Sequence, residues 1–80
     1  MNTPLVSLDR VPQETEAIVR ELHGGSELAH RLAGMGLTEG VALVVLQNSG
    51  RGPLLVNVRD TRIALGRGEA AKILVEPART

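Results

Sequence analysis

The chain has 80 residues, no aromatic residue, no cysteine and a formal net charge of zero. This length allows one domain, whose core has to be built from Val, Leu, Ile and Ala side chains. Without aromatic rings the chain lacks the stacking contacts that bind single-stranded nucleic acid, and zero net charge lowers its attraction to phosphates. The absence of cysteine excludes disulfides and thiolate metal sites. We therefore expect a small binding module with no nucleic-acid partner.

Charge is distributed unevenly along the chain. Residues 1–40 contain three Arg and six acidic residues, whereas residues 41–80 contain five Arg, one Lys and three acidic residues. This asymmetry could orient a charged partner if both halves form one barrel, or the charges could simply be solvated on an ordinary surface.

The chain has no segment that resembles a membrane anchor. Its longest apolar stretch, residues 41–46, is far shorter than the roughly 20 residues that span a bilayer. The start at Met1–Pro4 lacks the basic residues of a signal peptide. These features predict a cytoplasmic protein that does not insert directly into a membrane.

Residues 1–15 are predicted to form an extended N-terminal segment. Two prolines restrict its backbone, and the apolar residues between them could attach the segment to a core. The domain proper is predicted to span residues 16–76, with a C-terminal tail at residues 77–80.

A strand at residues 16–22 and a short helix after it are the next predicted elements, separated by a glycine turn. Ser26 suits the N-cap position, Leu28 and Leu32 share one helix face, and Gly34 suits the left-handed position after the helix. A helix of about two turns is marginal alone. It therefore has to pack on a sheet.

The heptapeptide Gly34–Gly40 is predicted to leave this helix, turn tightly and lead into a buried strand. Its glycine spacing is not that of a phosphate-binding loop, and no Lys-Ser or Lys-Thr pair follows it. The segment is therefore interpreted as a structural junction.

From residue 41 onward the pattern is typical of β structure. The unbroken apolar run at residues 41–46 is predicted to be a strand covered on both faces. Glycine, proline and asparagine clusters then separate the remaining short strands. The predicted order is a turn at 48–53, a strand at 54–59, a turn at 60–61, a strand at 62–65, a helical or 3₁₀ turn at 69–72 and a strand at 73–75.

These elements predict a mainly β fold, namely a small, partly open, five-stranded barrel with one short α-helix and a 3₁₀ turn before the last strand. Closure would protect sheet edges that a domain of this size would otherwise expose. An edge that stays unpaired would allow the protein to form a homo-oligomer.

Five segments together carry a family resemblance: Leu32–Gly40, Val44–Leu46, Gly52–Leu54, Ala64–Leu65 and Glu69–Val75. Their order and spacing resemble the FeoA family, small cytoplasmic proteins of bacterial ferrous iron uptake with an SH3-like barrel. The resemblance covers residues 16–76. It implies a non-enzymatic accessory protein, without a required cofactor, that binds and regulates the cytosolic GTPase region of a membrane iron transporter.

The chain departs from the family pattern in its loops. Gly52 stands where many members have an acidic residue, and Asp60 where many have a glycine. Gly66 replaces the basic residue that commonly follows the Ala-Leu pair, and Arg67 lies one place later. The same barrel also resembles the C-terminal domain of iron-dependent repressors, which implies an alternative role as a metal-responsive regulatory domain.

His23, Glu27 and His30 form the one cluster with the character of metal ligands. Glu27 and His30 are three residues apart on the predicted helix, and His23 shortly precedes it, so the three could bind Fe²⁺ or Zn²⁺. Such residues near the ends of a short surface helix are more often solvated or capping groups. Metal titration separates the two interpretations.

Three residues are candidates for contact with a partner. Arg51, flanked by glycines at a turn, could be inserted into a G domain of the kind that the resemblance implies, where an arginine can speed phosphoryl transfer. The alternative is a solubilising arginine. Met35 and Leu37 could form an adaptable apolar contact, and core packing explains Leu37 equally well.

The sequence contains no recognisable catalytic group. Ser7, Ser26 and Ser49 lack a nucleophile motif. The two histidines have the simpler interpretations given above. We therefore expect a protein that is not an enzyme.

Overall fold

Six antiparallel strands form one sheet in the order β1-β6-β2-β3-β4-β5. The computed structural model describes residues 4–78 of the chain, so residues 1–3 of the predicted N-terminal segment and 79–80 of the predicted tail lie outside the described residues. The strands are β1 (Val6–Ser7), β2 (Thr15–Leu22), β3 (Ala42–Gln47), β4 (Leu54–Val58), β5 (Thr61–Leu65) and β6 (Ile73–Pro77). The helices are α1 (Gly25–Ala33), α2 (Arg67–Ala70) and a 3₁₀ helix (Leu8–Arg10) near the N-terminus.

The prediction of a five-stranded barrel is corrected in two respects. The five predicted strands are present, but the N-terminal segment adds a sixth, β1, in which Val6 pairs with Val75 and Ser7 with Leu74. A strand of two residues is too short to leave an alternating pattern in the sequence. Within residues 4–78 the sheet also stays open, because β1 and β5 are its two edges and no ladder joins them.

One face of the sheet carries the core, which consists only of Val, Leu, Ile and Ala side chains, as the composition predicts. In β3, Leu43 and Val45 are buried whereas Ala42 is exposed. The predicted coverage of residues 41–46 on both faces is therefore wrong. An antiparallel sheet can bury one face and leave the other in contact with solvent, and here the outward residues Val44 and Leu46 are only partly buried.

The N-terminal segment belongs to the same core. Leu8 of the 3₁₀ helix is 0% exposed and Val11, which follows it, is 1% exposed. The backbone N–H of Val11 donates to the Leu8 carbonyl at 3.1 Å, which closes the 3₁₀ turn and directs both side chains inward. The extended segment predicted from its prolines is thus folded onto the sheet.

Helix α1 begins one residue before the predicted N-cap. Gly24 is the N-cap of α1. Its φ of 140° is one that residues other than glycine rarely adopt, and Ser26 lies inside the first turn. A Cβ atom at Gly24 would lie 2.5 Å from Cδ2 of Leu28. The close approach of the chain to Leu28 therefore explains why glycine, rather than serine, occupies this position.

The end of α1 also differs from the prediction. Gly34 has a helical φ of −63°, and the left-handed residue is Gly36, with a φ of 89°. The Leu37 N–H donates to the Leu32 carbonyl at 2.9 Å, and the Gly36 N–H donates to the Ala33 carbonyl at 3.0 Å. This is a Schellman motif. It turns the chain so that Leu37 is buried in the core with Leu32.

The β4–β5 turn is one residue earlier than predicted. Val58 pairs with Thr61, so the loop is Arg59–Asp60 and not the predicted 60–61. Both loop residues have positive φ, 49° and 68°, as in the two-residue type I′ turn that matches the twist of a hairpin.

Helix α2 replaces the helical or 3₁₀ turn predicted at residues 69–72. It is α-helical and starts at Arg67. The Glu69 carboxylate accepts a hydrogen bond from the backbone N–H of Gly66 at 3.2 Å, which makes Gly66 the N-cap. The helix begins earlier than predicted because its N-cap is Gly66, whereas the prediction places the start of the turn after Gly68.

Candidate interaction surfaces

The apolar candidates Met35 and Leu37 lie in different environments. Leu37 is 0% exposed, so its side chain is part of the core and is not available to a partner in this conformation. Of the two interpretations of Leu37 that the sequence leaves open, its burial supports core packing. Met35 packs against the core but is only partly buried, so part of its side chain remains accessible.

Arg51 lies at the tip of the β3–β4 turn, residues 48–53, and is exposed. The glycines beside it have positive φ, 91° at Gly50 and 68° at Gly52. The Ser49 hydroxyl donates to the Arg51 carbonyl at 3.0 Å, so the backbone that carries the arginine is itself hydrogen-bonded. The side chain therefore projects from an ordered turn.

Asn48 connects this turn to the N-terminal segment. Its side-chain amide nitrogen donates to the carbonyls of Asp9 at 2.9 Å and Val11 at 2.8 Å. Its backbone N–H donates to Oε1 of Gln13 at 3.1 Å. One partly buried side chain thus satisfies two carbonyls of a segment that is 37 to 39 residues away along the chain.

Arg67 of α2 completes the connection. Its guanidinium donates to Oδ1 of Asn48 at 3.0 Å, to the Gly52 carbonyl at 3.3 Å and to the Asp9 carbonyl at 2.9 Å. A planar group with five donors in a fixed fork suits such a junction. Asn48 and Arg67 together form what we call the polar clamp, which holds the β3–β4 turn, α2 and the N-terminal 3₁₀ helix together.

Sequence reasoning missed the polar clamp. From the sequence, Asn48 is predicted only to be a turn residue and Arg67 only a displaced basic residue. Their contacts join parts of the chain 15 to 58 residues apart, and no local spacing encodes such contacts. The one available signal is that Arg67 lies two residues after the end of the strand predicted at residues 62–65.

The predicted metal ligands are not brought together. His23, Glu27 and His30 are all exposed, and no three His, Asp or Glu side chains within residues 4–78 are grouped so that they could hold one ion. His23 instead lies 2.8 Å from Glu21, measured from Nε2 to Oε1. This pair was missed, although residues two apart along an extended segment lie on the same side.

An open groove of about 470 Å³ lies between α1 and α2. Arg31 of α1 and Glu69 of α2 form an ion pair across it, and Glu69 also caps α2 through Gly66. Charges of both signs line the groove, so it has no clear preference for an anion or a cation. Its lining residues are Gly24, Glu27, Leu28, Arg31, Gly68, Glu69 and Lys72.

None of the described helices combines the length and apolar character that crossing a bilayer requires. The chain matches the FeoA domain family over residues 6–77. It is 40% identical over 63 residues to Fe(2+) transport protein A of Methanocaldococcus jannaschii, a match that covers 79% of this chain and 76% of that protein.

Solved structures support the same relationship. A crystal structure of an iron uptake regulatory protein, FeoA, has a TM-score of 0.86 and 31% identity and covers 94% of this chain and 99% of its own. The zinc complex of Stenotrophomonas maltophilia FeoA, described as a prokaryotic SH3 domain protein, has a TM-score of 0.72 and 32% identity. The match covers 90% of this chain and 94% of that protein's chain. A manganese-dependent transcriptional repressor superimposes with a TM-score of 0.85 over 98% of this chain and 44% of its own, but at 19% identity it shows only the shared fold.

Proposed function

Because this chain belongs to the FeoA family, we propose that it is a non-enzymatic, cytoplasmic accessory protein that binds and regulates the GTPase region of a membrane ferrous iron transporter. The family is associated with ferrous iron transport, and the fold is mainly β and SH3-like. A role as a bacterial ferrous iron transport activating factor has been raised for the Stenotrophomonas protein. The proposal extends that direction of regulation to this chain.

The observation that carries the proposal is the ordered turn beneath Arg51. The polar clamp connects the turn to α2 and to the N-terminal segment, so little conformational entropy remains to be lost when the tip meets a partner. An arginine supplied to a GTPase can stabilise charge that develops on the transferred phosphoryl group. A guanidinium on a fixed turn suits that role better than one on a loose loop.

Met35 supplies the second contact in this proposal. It lies between two glycines at the end of α1, and its thioether is partly exposed beside the core. Methionine is flexible and polarisable, so it adapts to an apolar surface on a partner. Leu37 supports this contact only indirectly, because it packs in the core under the Gly34–Gly40 junction that contains Met35.

The direct test measures binding to the purified cytosolic GTPase region and its rate of GTP hydrolysis with and without this protein. We expect binding, a changed rate of hydrolysis, and at least about a tenfold smaller change with Arg51→Ala. Arg10→Ala is the matched control, since it also removes an exposed arginine. Absence of binding, or equal effects of the two variants on hydrolysis, would contradict the proposal.

A second role, metal-responsive assembly, is supported by the zinc complex of the Stenotrophomonas protein. In this chain His23 and Glu21 form a pair at 2.8 Å that could donate two ligands, and His30 lies on the neighbouring helix. Zinc commonly takes four ligands, so a second copy or water would complete the site.

Calorimetric titration with Zn²⁺ or Fe²⁺, combined with light scattering, tests this second role. We expect binding and a change in oligomeric state that are both lost in the His23→Ala, His30→Ala double variant. Identical titrations for the wild type and the variant would exclude these histidines as ligands.

A further inference from the structure

Strand β5 is an edge that nothing covers within residues 4–78. It pairs with β4 on one side and has no neighbour on the other. Thr61, Arg62 and Ala64 are exposed, whereas Ile63 and Leu65 point into the core. An edge of five residues with free hydrogen-bonding groups is a template for another strand.

The two-residue turn before β5 determines which backbone groups are free. In such a hairpin the residues that flank the loop, Val58 and Thr61, exchange both of their hydrogen bonds, and this pattern repeats at every second residue. Ile63 and Leu65 therefore also bond to β4. The N–H and carbonyl groups of Arg62 and Ala64 point away from β4 and are available at the open edge.

The charges near this edge are mainly positive. Arg59 in the β4–β5 turn and Arg62 in β5 are exposed, and neither forms an ion pair with a described residue. Leu65 pairs with Leu54, so the β3–β4 turn with Arg51 lies at the other end of β5. Asp60 is the one acidic residue within residues 48–65.

We infer that β5 accepts an extended, acidic segment of a partner protein as a seventh strand. The backbone groups of Arg62 and Ala64 supply the hydrogen bonds, and the side chains of Arg59 and Arg62 select acidic side chains. A second copy fits this edge less well, because pairing two β5 strands would bring the arginines of both chains together. The inference goes beyond the proposed function, since the acidic segment need not belong to the transporter.

The test uses an N-acetylated, C-amidated peptide of alternating Glu and Val, with a Lys-for-Glu peptide as its charge-reversed control. Backbone amide NMR of the full chain follows both titrations. The acidic peptide is expected to bind with a Kd below about 1 mM and to slow hydrogen exchange at the amides of Arg62 and Ala64. The Lys peptide is expected to leave both amides unchanged.

Two variants locate the contact. Arg62→Glu is expected to weaken binding at least about tenfold, whereas Lys72→Glu, the same charge change in the groove between α1 and α2, should leave it unaltered. Ala64→Pro removes an outward N–H that β4 does not use, so the fold should persist while protection at the edge is lost.

Three results would overturn the inference: no binding of the acidic peptide, equal binding of both peptides, or exchange protection confined to the groove. A concentration-dependent dimer whose β5 amides are protected without peptide would assign the edge to a second copy instead. Loss of transporter binding through Arg51→Ala, with peptide binding retained, would keep the two proposals separate.

Discussion

Strand β4 has a turn at each end, and the two turns are fixed by different means. The β3–β4 turn is held by the polar clamp, whose contacts reach the N-terminal segment and α2. The β4–β5 turn consists of two residues with positive φ, and the side chains of Arg59 and Asp60 make no hydrogen bonds to described residues. The first turn depends on distant parts of the fold, and the second depends on its own backbone.

The largest expected effect is from Asn48→Ala, which removes the side-chain donor to the Asp9 and Val11 carbonyls and the acceptor of Arg67. Leaving these groups without partners should lower the free energy of unfolding by about 2 to 4 kcal/mol, measured by denaturant titration with circular dichroism. Asn57→Ala on the outer face of β4 is the control, expected within about 1 kcal/mol of wild type. Equal losses would mean that the clamp contributes no specific stability.

Arg67→Ala should have the next largest effect, a loss of about 1.5 to 3 kcal/mol, because its three hydrogen bonds are charge-assisted and two of them are partly buried. The double variant with Asn48→Ala should lose at least about 0.5 kcal/mol less unfolding free energy than the sum of the two single losses, since both substitutions break one network. Arg59→Ala, which removes an exposed arginine from the other turn, should change the free energy of unfolding by less than about 0.5 kcal/mol. Strictly additive losses would place the two residues in independent contacts.

Asp60→Gly should stabilise the protein by about 0.5 kcal/mol. Asp60 has a φ of 68°, where glycine is free of the steric cost that other residues have. Ser49→Gly in the other turn should lower stability, because its hydroxyl bond to the Arg51 carbonyl is lost and its φ is not positive. Thermal unfolding of both variants would reveal whether the signs are in fact opposite.

The smallest effect is expected for Arg51→Ala, whose side chain makes no hydrogen bond to a described residue. The free energy of unfolding should stay within about 0.5 kcal/mol of wild type, as for other exposed residues. A loss above about 1 kcal/mol would indicate a structural role for the arginine and weaken its assignment as a partner contact.

The sequence predicted elements that depend on local pattern. The strands β2, β4 and β5 follow from short apolar runs bounded by turn residues, and the glycine junction before β3 follows from the need for a left-handed residue. Errors of one or two residues arose at Gly34, at Ser26 and at the β4–β5 turn. In each case a neighbouring position satisfies the same local rule, and tertiary packing decides between them.

The candidate site was less predictable because it depends on contacts that are distant along the chain. The burial of Leu37 follows from the Schellman motif, which places it beside Leu32. The polar clamp requires α2 and the N-terminal segment to meet, and no residue spacing indicates this. Arg51 could be recognised as exposed from its flanking glycines, but the order of its turn could not.

The pairing of β1 with β6 has a consequence for synthesis of the chain on the ribosome. Val6 pairs with Val75, so β1, the first strand to be synthesised, has no partner until β6, the last strand, is available. A nascent polypeptide that ends before Ile73 lacks β6, the strand between β1 and β2, so its aliphatic core residues remain exposed to solvent. Folding is therefore completed only once β6 has left the exit tunnel, and the rate of this last step should be set by closure of the long loop between β1 and β6.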